Sequence, residues 1–221
     1  KENRKSKKME IDESLINLIN KKITGFKLLG IGSSLRKNSS SNKLLKMVLE
    51  KSQRYGANTS IIELSEISLP IFNPNKPKEI SEDLKKINDQ IINADAFILA
   101  TPDYHGSMSG GMKNFLDYYW YEFSGKIFGY IVSSHEKGLT VMDHMRTAIR
   151  QCYGWSLPYG LSINTEYDLD EHYNISSPKL LLRIENMSRD IVIYGKLLRM
   201  QFIHDTNNKE PTTFAFQFKK K

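Results

Sequence analysis

The stretch F-K-L-L-G-I-G-S-S-L-R-K-N-S-S-S-N, residues 26–42, decides how the rest of the chain is read. Phe26 to Gly30 is mostly apolar and reads as a buried strand. A Gly- and Ser-rich loop follows, and Lys43 to Leu49 then opens an apolar pattern with helical spacing. A strand, a hydroxyl-rich turn and a helix form the local geometry that binds phosphate, because backbone N–H groups of the turn join the positive end of the helix dipole. Ser34, Ser39 and Ser41 each bring a hydroxyl, and Arg36 a planar, permanently charged fork that suits phosphate oxygens. No Gly-Lys pair opens the helix, so this is not a nucleoside-triphosphate loop. After Gly30 and Gly32 the sixth position is Leu35, so it is not a dinucleotide fingerprint either. What remains is a loop suited to the single terminal phosphate of a mononucleotide.

Composition narrows the class. The 221 residues are 39% hydrophobic, enough for one domain with a sizeable core. No run of about eighteen apolar residues predicts a membrane span, and the lysine-rich start does not read as a secretory signal. The net charge of +7 sits at the ends. Five bases and one acid fall in residues 1–8 and three bases in 219–221, which leaves 24 of each sign between them. A nucleic-acid reader more often carries its bases on a folded face among stacking aromatics, so no nucleic-acid partner is expected. The single cysteine, Cys152, allows no disulfide within the chain and no multi-cysteine metal site, and it reads as a small core residue in a reducing, cytoplasmic setting.

Working outward, residues 1–25 divide into a basic tail and an amphipathic helical pattern over Ile11–Ile23. The main domain is expected over 26–201 and a basic C-terminal tail over 202–221. Within the domain, strands are expected near Phe26–Gly30, Thr59–Leu64, Ala96–Ala100, Lys126–Ser133 and Tyr159–Ile163. Helices are expected to about Tyr55, from about Ser81, over Met112–Tyr121, over Thr140–Tyr153 and from Pro178. Alternating strands and helices imply right-handed crossovers and a parallel sheet covered on both faces. Five such strands fit an α/β, flavodoxin-like three-layer sandwich with strand order 2-1-3-4-5, which binds its ligand at the carboxyl ends of strands one and three. The loop after the third strand bears this out in composition: T-P-D-Y-H-G-S-M-S-G-G, residues 101–111, has Pro102 to stiffen the turn, glycines that let backbone approach a flat ligand, and Tyr104 as a flat face.

L-R-K-N-S-S-S-N-K-L and T-P-D-Y-H-G-S-M-S-G-G-M-K-N-F-L-D-Y together closely resemble the NADPH-dependent FMN reductases, a flavodoxin-like family that includes azoreductases and quinone reductases. The resemblance spans roughly residues 26–163. It implies FMN held non-covalently, NADPH or NADH as reductant, and ping-pong hydride transfer through the flavin to a small-molecule electron acceptor. Carried over by position, the phosphate loop falls on Ser34, Arg36, Ser39, Ser40 and Ser41. The isoalloxazine-contacting loop falls on Pro102, Asp103, Tyr104, His105 and Gly106. The third loop falls on Ser133, Ser134, His135, Glu136, Lys137 and Gly138, with Ser133, His135 and Gly138 as cofactor contacts. The family commonly reads P-E-Y-N-G-S-x-P-G in the second loop, where this chain has Asp103, His105 and Ser109.

Because the flavin carries the redox chemistry, no acid–base pair is required and no catalytic side chain is assigned; His105 is either a hydrogen-bond partner of the ring or acceptor or a loop histidine satisfied locally. Asp143-His144 with a serine suggests an esterase, but no G-x-S-x-G elbow exists. The aromatic run Leu116, Tyr118, Tyr119, Trp120 and Tyr121 suits a subunit interface, and the family's flavin lies near one, so a homodimer or tetramer is expected. The rival readings are a flavodoxin-type electron carrier serving a protein partner and an adaptor acting through the basic tails. The sequence does not choose the acceptor.

Overall fold

The computed structural model describes residues 25–75, 82–172, 174–207 and 211–218. The amphipathic pattern expected over 11–23 and both basic ends lie outside them. The central strands β1 (Phe26–Gly32), β3 (Ala96–Pro102) and β4 (Ile127–Ser133) are buried almost along their whole length, as a parallel sheet covered on both faces demands. At the edge, β2 (Ala57–Glu63) is only partly buried and mixes apolar with polar residues. All pairings are parallel and the strand order is β2-β1-β3-β4-β5, with β6 also beside β4.

The fifth position differs from expectation. It is shared by β5 (Trp155–Ser156), which pairs with Ile127 and Phe128, and β6 (Leu161–Ile163), which pairs with Ile131 to Ser133. Between these pairings β4 advances three residues and the partner advances five, so two residues loop out around Pro158, which has no N–H to give the ladder. The sequence expectation over Tyr159–Ile163 found the second half and missed the first.

Helices cover both faces. On one, Leu44, Leu45 and Val48 of α1 (Ser40–Ser52) meet Ile184, Met187 and Ile191 of α5 (Pro178–Asn207) over Leu28 and Ile98. On the other, α2 (Glu82–Asn93), α3 (Gly110–Asp117) and α4 (Leu139–Gln151) enclose Phe97 and Phe128, whose rings stack at 4.8 Å. Leu84, Ile87 and Ile91 line the buried side of α2, while Ile92 is 56% exposed. Helix α3 ends at Asp117, short of Tyr121, so the aromatic run divides. Tyr118 and Tyr119 are buried in the chain's own core; Trp120 and Tyr121 stay exposed and stack at 4.7 Å.

The boundary expected at residue 201 falls inside α5, which continues to Asn207. A short helical turn, Phe214–Phe218, then packs its rings against Phe202, Tyr153 and Trp155. All of this gathers at the edge where the strands begin. At that edge buried Lys126 donates to the last carbonyls of α2, Ile91 O at 2.8 Å and Ile92 O at 3.0 Å, and burial pulls its ammonium pKa down to about 7. Cys152 is half-buried, and its burial pushes the thiol up to about 11, in keeping with a core residue. Among the described residues no helix is long and apolar enough to cross a membrane.

Candidate functional site

The opposite edge, where the strands end, collects three loops. After β1, Ser33 is buried and tied to the neighbouring strand twice: its N–H and its hydroxyl both donate to Ala100 O, at 2.9 and 3.2 Å. Ser109 Oγ donates to Ser33 Oγ at 2.8 Å and accepts the Met112 N–H at the start of α3. This serine pair fixes the first loop to the second. Ser39 caps α1, accepting the Asn42 N–H at 3.2 Å. The Ser39 and Ser41 hydroxyls lie 2.9 Å apart, so one of their two protons serves that bond and the other is left to donate. Ser40 and Ser41 open the helix, and their N–H groups have no intrahelical acceptor. Arg36 lies exposed beside them, and no carboxylate among the described residues pairs with its guanidinium.

The second loop turns back on itself tightly. Tyr104 and Ser107 exchange backbone hydrogen bonds of 3.0 and 3.2 Å, with His105 (φ 57°) and Gly106 (φ 77°) in the left-handed region between them. Two consecutive left-handed residues make the turn type whose twist suits a two-residue reversal, which is why glycine follows histidine. Asp103 holds that turn to the third loop. One carboxylate oxygen accepts the Gly106 N–H at 2.8 Å, and the other accepts the Ser134 hydroxyl at 2.8 Å. The third loop ends at Gly138 (φ 58°), which leads into α4.

These loops enclose a cavity of about 230 Å³ lined by Ser34, Arg36, Ser39, Ser40, Ser41, Pro102, Asp103, Tyr104, Ser133 and His135, together with Asn38, Ser134 and Thr165. Gly106 and Gly138 line the adjoining cavity of about 790 Å³, which shares Asp103 and His135 with the first. His105 lines neither; its side chain is exposed at the tip of the turn. Sequence reading missed Ser33, Ser109 and Thr165. The first two face the protein and act by holding loops, and the third comes from the loop after β6, whose signal was blurred by the interrupted strand. Among the described residues no cluster of metal-ligating side chains occurs. Ser107 Oγ and His144 Nδ1 are 3.1 Å apart, but Asp143 bonds Arg146 at 2.9 Å, so these residues form no triad.

The donor set fits the phosphate of FMN. It offers two helix-end N–H groups, a spare hydroxyl proton and an unengaged guanidinium, and the one acid in the lining, Asp103, has a bond on each oxygen. A parallel sheet in this order, with a mononucleotide-type phosphate cradle at the carboxyl edge, defines a flavodoxin-like flavoprotein.

Residues 26–168 match the family model of the NADPH-dependent FMN reductases. The chain belongs to that family, an oxidoreductase family with FMN as cofactor and NAD(P)H as reductant. An FMN-dependent NADPH-azoreductase of Staphylococcus aureus is 32% identical over 142 residues, 59% of this chain and 72% of the relative. Among solved structures, FerB, a flavoenzyme NAD(P)H:(acceptor) oxidoreductase from Paracoccus denitrificans, superposes with a TM-score of 0.65 at 19% identity, over 78% of this chain and 98% of its own. An oxidoreductase from Corynebacterium diphtheriae gives 0.64 at 18%, over 81% and 99%. A flavodoxin from the Archaea gives 0.56 at 12% identity, over 77% of this chain and 99% of its own. At these identities the structures speak for the fold alone.

Proposed function

We propose that this chain passes hydride equivalents from NADPH to a small aromatic acceptor, an azo compound or a quinone, through FMN held by the three loops. The observation that carries the proposal is the shared cavity, in which an anion cradle from one loop opens onto the tight Tyr104–Ser107 turn and the Asp103 clamp. Bound FMN would supply the two-electron chemistry. The chain's own part is positional: Arg36, the Ser40 and Ser41 N–H groups and the Ser39–Ser41 hydroxyl pair hold the phosphate. Pro102, Tyr104 and Gly106 present a flat, backbone-lined wall. Asp103 keeps that wall in shape by anchoring it to Ser134, and Ser133, His135 and Gly138 close the far side.

The reading carries with it a reducing, cytoplasmic setting and a homodimer or tetramer. The exposed Trp120–Tyr121 stack just beyond α3 supports self-association. Light scattering at micromolar concentration checks it, and a monomer there removes the dimer from the proposal. The central test is an absorption spectrum of the protein after FMN addition and removal of excess, then anaerobic NADPH. A retained yellow chromophore that bleaches, and recovers its colour on adding an azo dye or a quinone, is the expected result. Binding without bleaching by NADPH or NADH would point to an electron carrier, and no binding would overturn the site.

A further inference from the structure

Beyond the flavin loops the groove continues. The cavity of about 790 Å³ that begins at Asp103 and Gly106 shares Lys137, Leu139, Ser162 and Asp168 with a further cavity of about 420 Å³ between α4 and α5. That second cavity is ringed by four bases, Lys137, Arg146, Lys179 and Arg183, against one acid, Asp168, whose Oδ2 accepts the Asn164 N–H at 2.9 Å. In a body with equal numbers of bases and acids between its basic ends, this concentration is local. Lysines and arginines on an open face are solvated and carry no message, but these surround a concavity. Arg146 is already paired with Asp143 at 2.9 Å, which leaves Lys137, Lys179 and Arg183 to supply the cavity's charge; Arg183 is held in place by a 2.6 Å bond to Gly160 O, with its guanidinium over the Tyr159 ring at 6.0 Å.

The arrangement also runs against local helix preference. Helix α5 has no acid in its first turn, where the positive end of its dipole favours one; Lys179 stands there instead, with like-charged Arg183 four residues on along the same face. No carboxylate among the described residues pairs with Lys137, Lys179 or Arg183. A sequence that departs from local rules in one place commonly does so at a functional site.

We infer that the basic cavity between α4 and α5 receives an anionic group, a phosphate, sulfonate or carboxylate, of one of the two substrates that meet at the flavin loops. The inference rests on the oxidoreductase reading above and adds a substrate class to it: one substrate is an elongated anion whose charged end sits here while its reactive end reaches Asp103 and Gly106. The charge has two chemical sources, the 2′-phosphate of NADPH or a sulfonate or carboxylate on the acceptor.

The double variant Lys179→Gln/Arg183→Gln decides between them, since neither residue belongs to the flavin loops. With the FMN-loaded enzyme, KM is measured for NADPH and NADH, and for a sulfonated azo dye and the neutral quinone menadione. A rise of at least tenfold for NADPH with NADH unmoved assigns the cavity to the reductant's 2′-phosphate. The same rise for the sulfonated dye with menadione unmoved assigns it to the acceptor, and kcat stays within twofold in either case. Losing the Arg183 bond to Gly160 O is expected to lower the melting temperature modestly, so the test is read from the split between KM values and not from stability. Changes in all four KM values below twofold overturn the inference. Turnover is not needed for the second readout, calorimetric titration of inorganic pyrophosphate into both proteins. Tighter binding to the parent by at least tenfold supports the cavity, and equal affinity overturns it. Loss of the FMN spectrum from the parent protein would instead count against the oxidoreductase reading, and the pyrophosphate comparison would still decide this one.

Discussion

Arg36 is the residue whose role is most open to measurement. It is exposed, unpaired with any described carboxylate, and adjacent to the N–H groups that open α1. A charge-assisted hydrogen bond contributes about 1.5–3 kcal/mol, so Arg36→Ala is expected to weaken FMN binding roughly 10–100-fold with no loss of melting temperature in the FMN-free protein. Fluorescence titration of FMN checks this, and an unchanged affinity would separate Arg36 from the phosphate. Single residues were legible in the sequence when their chemistry pointed outward. Arg36, Ser39 and Tyr104 announce themselves by type and position. Ser33 and Ser109 did not, because their work is a 2.8 Å bond between two loops 76 residues apart, which no local pattern encodes. Asp103 was legible as a loop residue, but its two-sided clamp depends on Ser134 arriving from a different strand.

Elements were read best where burial imposes a period. The apolar runs of β1, β3 and β4 and the helical spacing of α1 and α4 follow from being covered on two faces or one. The fifth strand was half-read because Trp155 and Ser156 are exposed and carry no burial signal, and because Pro158 breaks the run. The turns make a paired prediction. At Gly106 an added Cβ meets nothing within 4 Å, so Gly106→Ala costs only the left-handed backbone, about 1–2 kcal/mol. At Gly125 (φ 71°) the same atom would overlap the Phe202 ring. Gly125→Ala is therefore expected to cost about 3 kcal/mol or more. The two should cross over in their effects. Thermal melts should show the larger loss for Gly125→Ala, while FMN titration should show weaker binding only for Gly106→Ala, the one that disturbs the cavity wall.

At the scale of the whole molecule, the buried ionisable groups set how stability responds to pH. Lys126 ordinarily titrates near 10.5 and does so near 7 in the fold because burial disfavours its charge. Between those values the unfolded chain holds a proton that the folded chain has released, so stability rises with pH across that window, by up to a few kcal/mol. Burial raises the Tyr119, Tyr130 and Tyr159 hydroxyls above their usual 10, with the Asp190 bond adding to the effect at Tyr159. Above pH 10 the unfolded chain loses those protons first and stability falls. Denaturant midpoints are thus expected to peak around pH 9–10. In Lys126→Met most of the rise from pH 7 should be lost, leaving the part due to Lys196, whose burial also lowers its pKa, while the fall above 10 remains; a parallel profile in the two proteins would contradict the assignment.

The parallel sheet has one further consequence. Residue 25 and the Phe214–Phe218 turn both lie at the edge where strands begin, and the three loops lie at the edge where they end. A support, an electrode or a fused domain joined near either of those points would therefore stand on the far side of the sheet from the cavity, leaving its mouth turned toward the solution.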